Sequence, residues 1–243
     1  MDEIFSRNKL LYGEEYLEKL KGKTVAIFGL GGVGGWAVEA LARAGISNFM
    51  LIDFDKVSIS NINRQIIANT STIGNFKTEL FKERILSINP NAKCETFDSF
   101  YTSSFNEELF SKKIDFVIDA IDTMKSKIEL LVYCKTNNIP VISSMGAGNR
   151  LDPTKLKICD ISEVNTSLCN FSKNIIRQLK KNNITEGITV VTSDEKPHKI
   201  TKALNISQVN NTEFKKLTVG SNPFVPSVAG IYIGYYVIEQ LLQ

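Results

Sequence analysis

Histidine is almost missing from this sequence. His198 is the only one in 243 residues, which excludes a metal site built from several imidazoles. Cysteine is scarce as well. The four, at positions 94, 134, 159 and 169, include no Cys-x-x-Cys pair, so neither a zinc knuckle nor a thioredoxin-type motif is expected. No long uninterrupted apolar run is present either. The longest, 225–242, contains Ser227, Gly230, Gly234, Glu239 and Gln240 and reads as a buried helix, so no membrane partner is expected. Residues 1–16 are charged and helical in pattern, without the apolar stretch of an export signal. Together with the unpaired cysteines, this sets a cytoplasmic expectation. Neither sign of charge is in large excess: 29 Lys plus Arg against 26 Asp plus Glu leaves a formal +3. Any surface for nucleic acid must therefore be local.

What is present suits one large α/β domain. The chain is 43% hydrophobic and 23% charged, enough apolar residue for a sizeable core. Apolar runs at 24–28, 49–52, 93–97, 115–120 and 140–144 predict strands, with helices between them at 36–44, 76–88 and 124–136. Strands and helices that alternate over short joints predict a Rossmann-like, doubly wound and mostly parallel sheet. A charged helix or helix pair is expected over 2–21. After 144 the pattern changes to a C-terminal α/β extension: a loop-rich stretch, a basic amphipathic helix at 171–182, a strand at 188–193 and a polar excursion near 194–222. The expected division is a single domain, 1–243, with a nucleotide-binding core at 1–144 and a substrate-side extension at 145–243.

Gly29, Gly31, Gly32 and Gly34 form a G-x-G-x-x-G turn that follows one predicted strand and opens a helix. Glycines there permit a tight turn and close backbone approach, and the helix start offers free N–H groups to phosphate. Asp53 ends the next strand, where a carboxylate accepts hydrogen bonds from ribose hydroxyls. The turn alone says nucleotide, and an NAD-dependent oxidoreductase or a non-catalytic nucleotide sensor would satisfy it. The following residues point elsewhere. Asp55, Asn61, Arg64, Gln65 and Lys77 come next, and in a helical 60–65 segment Asn61 and Arg64 share a face. Hydride transfer has no use for such cations and amides, whereas aligning the phosphates of ATP does. At the end of the fourth strand, Asp122 is the candidate Mg²⁺ ligand, with Asp119 as the second choice.

These residues together resemble the ubiquitin-activating-enzyme-like adenylyltransferases. The shared marks are the glycine turn, Asp53-x-Asp55, the block Ser60-Asn61-Ile62-Asn63-Arg64-Gln65, Lys77 and the Ala120-Ile121-Asp122-Thr123 strand end, where Thr123 stands in place of the family's usual Asn. By resemblance, Asn61, Arg64 and Lys77 hold phosphates, Asp122 holds Mg²⁺, and Arg7 reaches into the partner subunit's ATP site of a homodimer. Members that activate ubiquitin-like sulfur carriers usually carry two Cys-x-x-Cys pairs, which this chain lacks. The second half, from Ser144 through Asp160, Asp194–Pro197 and Gly220–Pro226, is instead similar to the tRNA-modifying branch. That branch adenylates the carboxylate of a threonylcarbamoyl group on an anticodon-loop adenosine and cyclises it with loss of AMP. It implies ATP, Mg²⁺ and tRNA, and it leaves room for a sulfur-transfer or redox partner protein. Lys173, Arg177, Lys180, Lys181, Lys196, Lys199 and Lys202 are the candidate tRNA contacts. Cys169 is either a nucleophile or a small, partly buried residue. Cys94, Cys134 and Cys159 are expected in the core, and Trp36 is expected to pack rather than stack on a base.

Overall fold

The computed structural model describes residues 3–200 and 219–243. Two short helices, α1 (Ser6–Tyr12) and α2 (Tyr16–Leu20), precede β1 (Thr24–Phe28), so the N-terminal segment is a helix pair. Then follow α3 (Gly34–Ala44), β2 (Asn48–Ile52), α4 (Lys77–Ile88), β3 (Lys93–Phe97), α5 (Asn106–Leu109), β4 (Phe116–Asp119), α6 (Met124–Thr136) and β5 (Val141–Ser144). The chain closes with β6 (Leu156–Asp160), α7 (Asn170–Lys181), β7 (Thr189–Ser193) and α8 (Phe224–Leu242).

All seven strands form one sheet in the order β3-β2-β1-β4-β5-β7-β6. Every neighbouring pair is parallel except β6 with β7. The chain leaves β1 first toward β2 and β3, then crosses back to β4 on the other side. The crevice outside the carboxyl ends of β1 and β4 is therefore the switch point where open α/β sheets bind ligands. Residues after 144 extend the same sheet, since β7 pairs with β5 and α8 returns to cover α3.

Alternation along the buried strands divides the core in two. Val25 and Ile27 of β1 face α3, α4 and α8, where Leu41, Phe81 and Ile233 join them. Ala26 and Phe28 face α6 and α7, with Leu130 and Ile175. α8 lies unusually close to α3. A Cβ at Gly230 would come within 2.4 Å of the Val33 carbonyl oxygen, and one at Gly234 within 2.7 Å of Ala40 Cβ. The expectation of a buried C-terminal helix is met, and among the described residues no helix is long and apolar enough to cross a membrane.

Segment 60–65 is not an α-helix: a 3₁₀ turn covers Ile59–Asn61, and successive turns carry the chain on to Gln65. Ser58 and Asn61 form a capping box at its start, the side chain of each bonded to the backbone of the other. The condition under which Asn61 and Arg64 would share a helical face is not met. Only the ends of the expected polar excursion, 194–200 and 219–222, lie among the described residues.

Candidate functional site

The site begins at the glycine turn. Gly29 leaves β1 with φ +90°, and a Cβ there would meet the Ala120 carbonyl oxygen at 2.7 Å. Gly34 is more constrained: its Cβ would fall 1.8 Å from the Gly29 carbonyl oxygen. These two glycines let the turn fold back on itself and against the end of β4. Gly31 is different. The nearest atom to a Cβ there is Gln65 Nε2 at 3.9 Å, so the space above it is open for a ligand. Gly32 lies beneath Arg64, whose Cγ would be 3.3 Å from the added Cβ.

Asp53, just past β2, is buried and holds the turn in place. One carboxylate oxygen accepts the Leu30 N–H at 2.6 Å and the other accepts the Asp55 N–H at 2.8 Å. Burial pushes its pKa up, against the downward pull of Lys77 and the two backbone donors. Each oxygen keeps a second lone pair, so acceptance from ribose hydroxyls stays open. Lys77, at the start of α4, is 3% exposed and lies 2.7 Å from Asp55 Oδ2 and 3.8 Å from Asp53 Oδ1. Burying an ammonium without anionic neighbours is costly, and these two acids supply them.

The 58–65 segment closes over this base. The Trp36 indole N–H donates to the Arg64 carbonyl oxygen at 3.3 Å, and the Asn63 amide donates to the Ser221 carbonyl oxygen at 3.0 Å. Trp36 thus packs, as expected, and also ties α3 to this segment. Arg64 Nη1 donates to the Ser60 carbonyl oxygen at 2.7 Å and to Asn63 Oδ1 at 3.0 Å, yet among the described residues no carboxylate pairs with it. Burial presses its pKa down. Asn61 spends its side-chain oxygen on the Ser58 N–H at 3.1 Å, which leaves its amide N–H groups without a partner among the described residues. Gln65 is buried with Oε1 unpartnered among the described residues, an orphan acceptor at the edge of the open space over Gly31.

The two acids of β4 have separate roles. Asp119 is fully buried, with one oxygen shared between the Lys127 ammonium at 2.5 Å and the Ser143 hydroxyl at 2.6 Å. Its other oxygen accepts the Ile121 N–H at 3.1 Å. It is buried in the core and spent on Lys127 and Ser143, so Asp122 and not this second-choice acid is the one left facing outward. Asp122 is exposed, and its one hydrogen-bond contact among the described residues is a long one, 3.4 Å, from the Thr123 hydroxyl. A single carboxylate without an ion-pair partner among the described residues fits the donor chemistry of magnesium, which takes one or two protein carboxylates and fills the rest of its shell with water and phosphate. No cluster of three or more acids, cysteines or histidines suited to a metal occurs among the described residues.

Gly29, Gly31, Gly32, Gly34, Asp53, Asp55, Asn61, Arg64, Gln65 and Lys77 are thus linked by contact or hydrogen bond, and Asp122 stands at their β4 side. Arg7 does not join them in its own chain. α1 is tied to the far end of α3, where the Asn8 amide donates to the Arg43 carbonyl oxygen at 3.1 Å. The glycine turn lies a helix length away, about 16 Å for eleven residues. Sequence reasoning missed Lys127. Its spacing with Leu130, Leu131 and Cys134 puts it on the buried face of α6, where a charge requires a partner.

A family model described as the ThiF family matches residues 5–238. The chain belongs to the ThiF family. The tRNA threonylcarbamoyladenosine dehydratase of Bacillus subtilis (strain 168) is 45% identical over 243 residues, covering 98% of this chain and 94% of that one. A protein of the same name from Haemophilus influenzae is 44% identical over 153 residues, 63% of this chain and 59% of its own. Among solved structures, this ThiF-family fold superposes on the Escherichia coli tRNA N6-threonylcarbamoyladenosine dehydratase, TcdA, in complex with ATP. The TM-score is 0.86 at 30% identity, covering 99% of this chain and 94% of that one.

The separation of the two β4 acids predicts opposite responses to mutation. Lys127→Met strands the Asp119 carboxylate without its cation and should cost about 3 kcal/mol or more of stability in a urea melt. Asp122→Ala should leave the melt unchanged. A Lys127→Met protein as stable as the parent would contradict the buried pair.

Proposed function

We propose that this ThiF-family chain is an ATP-dependent tRNA threonylcarbamoyladenosine dehydratase. The observation that carries the reading is the fold of 58–65 over the glycine turn. It sets the stem of Arg64, a cation without a carboxylate partner among the described residues, against Gly32, in the same cluster as buried Lys77 and the ribose-side acid Asp53. That arrangement suits a triphosphate rather than a nicotinamide dinucleotide. The 45% identical Bacillus subtilis relative carries this activity in its name, and the TcdA structure holds ATP.

The chemistry needs little from the protein beyond positioning and charge. The substrate carboxylate attacks the α-phosphorus of ATP, a P–O bond forms, and pyrophosphate leaves. An atom of the same substrate then attacks the activated carbonyl, and AMP departs with the former carboxylate oxygen, so the product is lighter by one water. Because the second nucleophile is intramolecular, no enzyme nucleophile is required. Arg64, Lys77 and the Asn61 amide stabilise charge on the phosphates, and Asp53 fixes the ribose. Asp122 would hold Mg²⁺, which screens the triphosphate charge when bound.

Arg7 acts in trans in this reading, which makes the functional unit a homodimer. Its distance from its own glycine turn supports this. So do Leu10, Leu11 and Tyr12 on α1 and Ile231 and Tyr235 on α8, a set of exposed apolar side chains that a second copy would cover. The face of α7 that carries Lys173, Arg177, Lys180 and Lys181 is exposed, as are Lys196 and Lys199, and together they form the tRNA-binding surface. Lys202 lies outside the described residues. The place of action is the cytoplasm, where tRNA is found.

Incubation with ATP, Mg²⁺ and threonylcarbamoylated tRNA should release AMP and yield a modified nucleoside lighter by one water. An unchanged nucleoside mass in the digest ends this reading. The trans role of Arg7 has its own test. Arg7→Ala and Arg64→Ala proteins should each lose about a hundredfold in turnover. Mixed in equal amounts and allowed to exchange, they should recover about a quarter of wild-type turnover, because half the dimers then carry one complete site. No recovery on mixing would place Arg7 in its own subunit's site or in none.

A further inference from the structure

Arg150 is a buried cation, 2% exposed, whose head donates from Nη1 to the Gly146 carbonyl oxygen at 3.2 Å. Nε and Nη2 are buried and unpartnered, and no carboxylate pairs with the guanidinium among the described residues. Those two nitrogens belong together. Nε–H and the neighbouring Nη2–H point the same way along one edge of the planar head, and that edge can receive both oxygens of a carboxylate. Leaving buried donors of a cation unmade is costly. Acids stand near in sequence, yet they serve other donors. Asp152 accepts the Thr154 N–H at 2.9 Å, and Glu195 accepts the Leu151 and Asp152 N–H groups, each at 3.0 Å. The edge is thus kept for an anion from outside this loop.

The loop's place in the fold relates it to the nucleotide corner. Residues 145–150 follow β5, whose Ser143 stands beside Asp119 of β4 in the parallel register. The loop therefore leaves the same carboxyl edge that bears Asp122, on the side away from β2 and Asp53. A hydrogen-bonded bridge joins it to the 58–65 segment. The Asn222 amide donates to the Arg150 carbonyl oxygen at 2.9 Å, and the Gly220 N–H donates to Asn149 Oδ1 at 2.6 Å. Between them, the Ser221 carbonyl oxygen receives the Asn63 amide. Further along the same stretch, Pro226 Cβ would lie 3.2 Å from a Cβ on Gly32. With adenosine on the Asp53 side and phosphates over the glycine turn, the group to be adenylated has to arrive from the β5 side. That group is a carboxylate, and it must approach a polyanion.

We propose that Arg150 is the seat of the substrate's carboxylate, receiving its two oxygens on Nε and Nη2 before adenylation. The inference rests on the dehydratase reading and adds to it the residue that recognises the group to be activated. Pairing with the guanidinium offsets the repulsion between the carboxylate and the triphosphate. It also fixes the plane of the carboxylate, so that one oxygen keeps a lone pair for the α-phosphorus. A neutral ester of the same substrate gains neither. The edge is closed to solvent in this conformation, so the carboxylate enters by a local opening around the 145–150 loop.

The test compares binding of a threonylcarbamoylated anticodon stem-loop with binding of the same stem-loop as its methyl ester, in the presence of an α,β-methylene ATP analogue. The unaltered protein should hold the acid at least about tenfold tighter than the ester. Arg150→Gln should weaken the acid to the level of the ester and leave the affinities for ester and ATP analogue where they were. Arg150→Lys, which keeps the charge but not the fork, should recover only part of the preference. No acid preference in the unaltered protein overturns the proposal, and so does a preference that Arg150→Gln retains. An Arg150→Gln protein that loses affinity for the ATP analogue instead would assign the guanidinium to a phosphate, which also overturns it. Turnover separates this result from the dehydratase reading. An unaltered protein that never yields the dehydrated nucleoside defeats that reading. Normal dehydration with an acid preference that Arg150→Gln retains defeats the seat alone. The acid-against-ester comparison needs no variant, so it decides even if neither variant folds.

Discussion

Gly34 can lie over the carbonyl of Gly29 only because it has no side chain, and the rest of the site depends on that contact. An added Cβ would fall 1.8 Å from the carbonyl oxygen, far inside any permitted approach. The same turn is squeezed from two further directions. Ala120 at the end of β4 presses on Gly29, and Gly230 brings α8 to within 2.4 Å of the Val33 carbonyl oxygen for a would-be Cβ. Three glycines thus weld β1, β4, α3 and α8 into one rigid corner. Gly31, on the open side, keeps the space into which a phosphate can come close to backbone N–H groups.

Charge is arranged around that corner so that buried groups are compensated and surface groups are left free. Asp53 is held by two backbone donors with Lys77 near by, and Asp119 by Lys127 and Ser143. Replacing one member of such a pair leaves its partner stranded, so these groups hold the site's shape more than they react. Arg64 and Asp122 are the opposite case. Neither has an ion-pair partner among the described residues, and they lie on the segments that border the open side of the glycine turn. A polyphosphate carrying a divalent cation would complete both.

The parts of this design that rest on local rules were legible in the sequence. A buried apolar run, the glycine spacing and an acid two elements on identified β1, the turn and Asp53. The helix over 124–136 was delimited by its own pattern and has those bounds in the structure. The parts that depend on distant partners were not. The shape of 58–65 is fixed by Trp36, 28 residues from Arg64, and by Ser221, 158 residues from Asn63. No local period records such contacts. The choice between Asp119 and Asp122 also required the fold, although Lys127 on an apolar helix face held a clue.

The central claim is that the corner between β1 and β4 grips a triphosphate through Asn61, Arg64 and Lys77. The most direct measurement is a crystal structure of this chain soaked with ATP and Mg²⁺. The account predicts ribose hydroxyls on Asp53, phosphate oxygens within hydrogen-bonding distance of the Asn61 amide, the Arg64 guanidinium and the Lys77 ammonium, and the metal on Asp122. A nucleotide lodged elsewhere, or phosphates that touch none of these side chains, would contradict it.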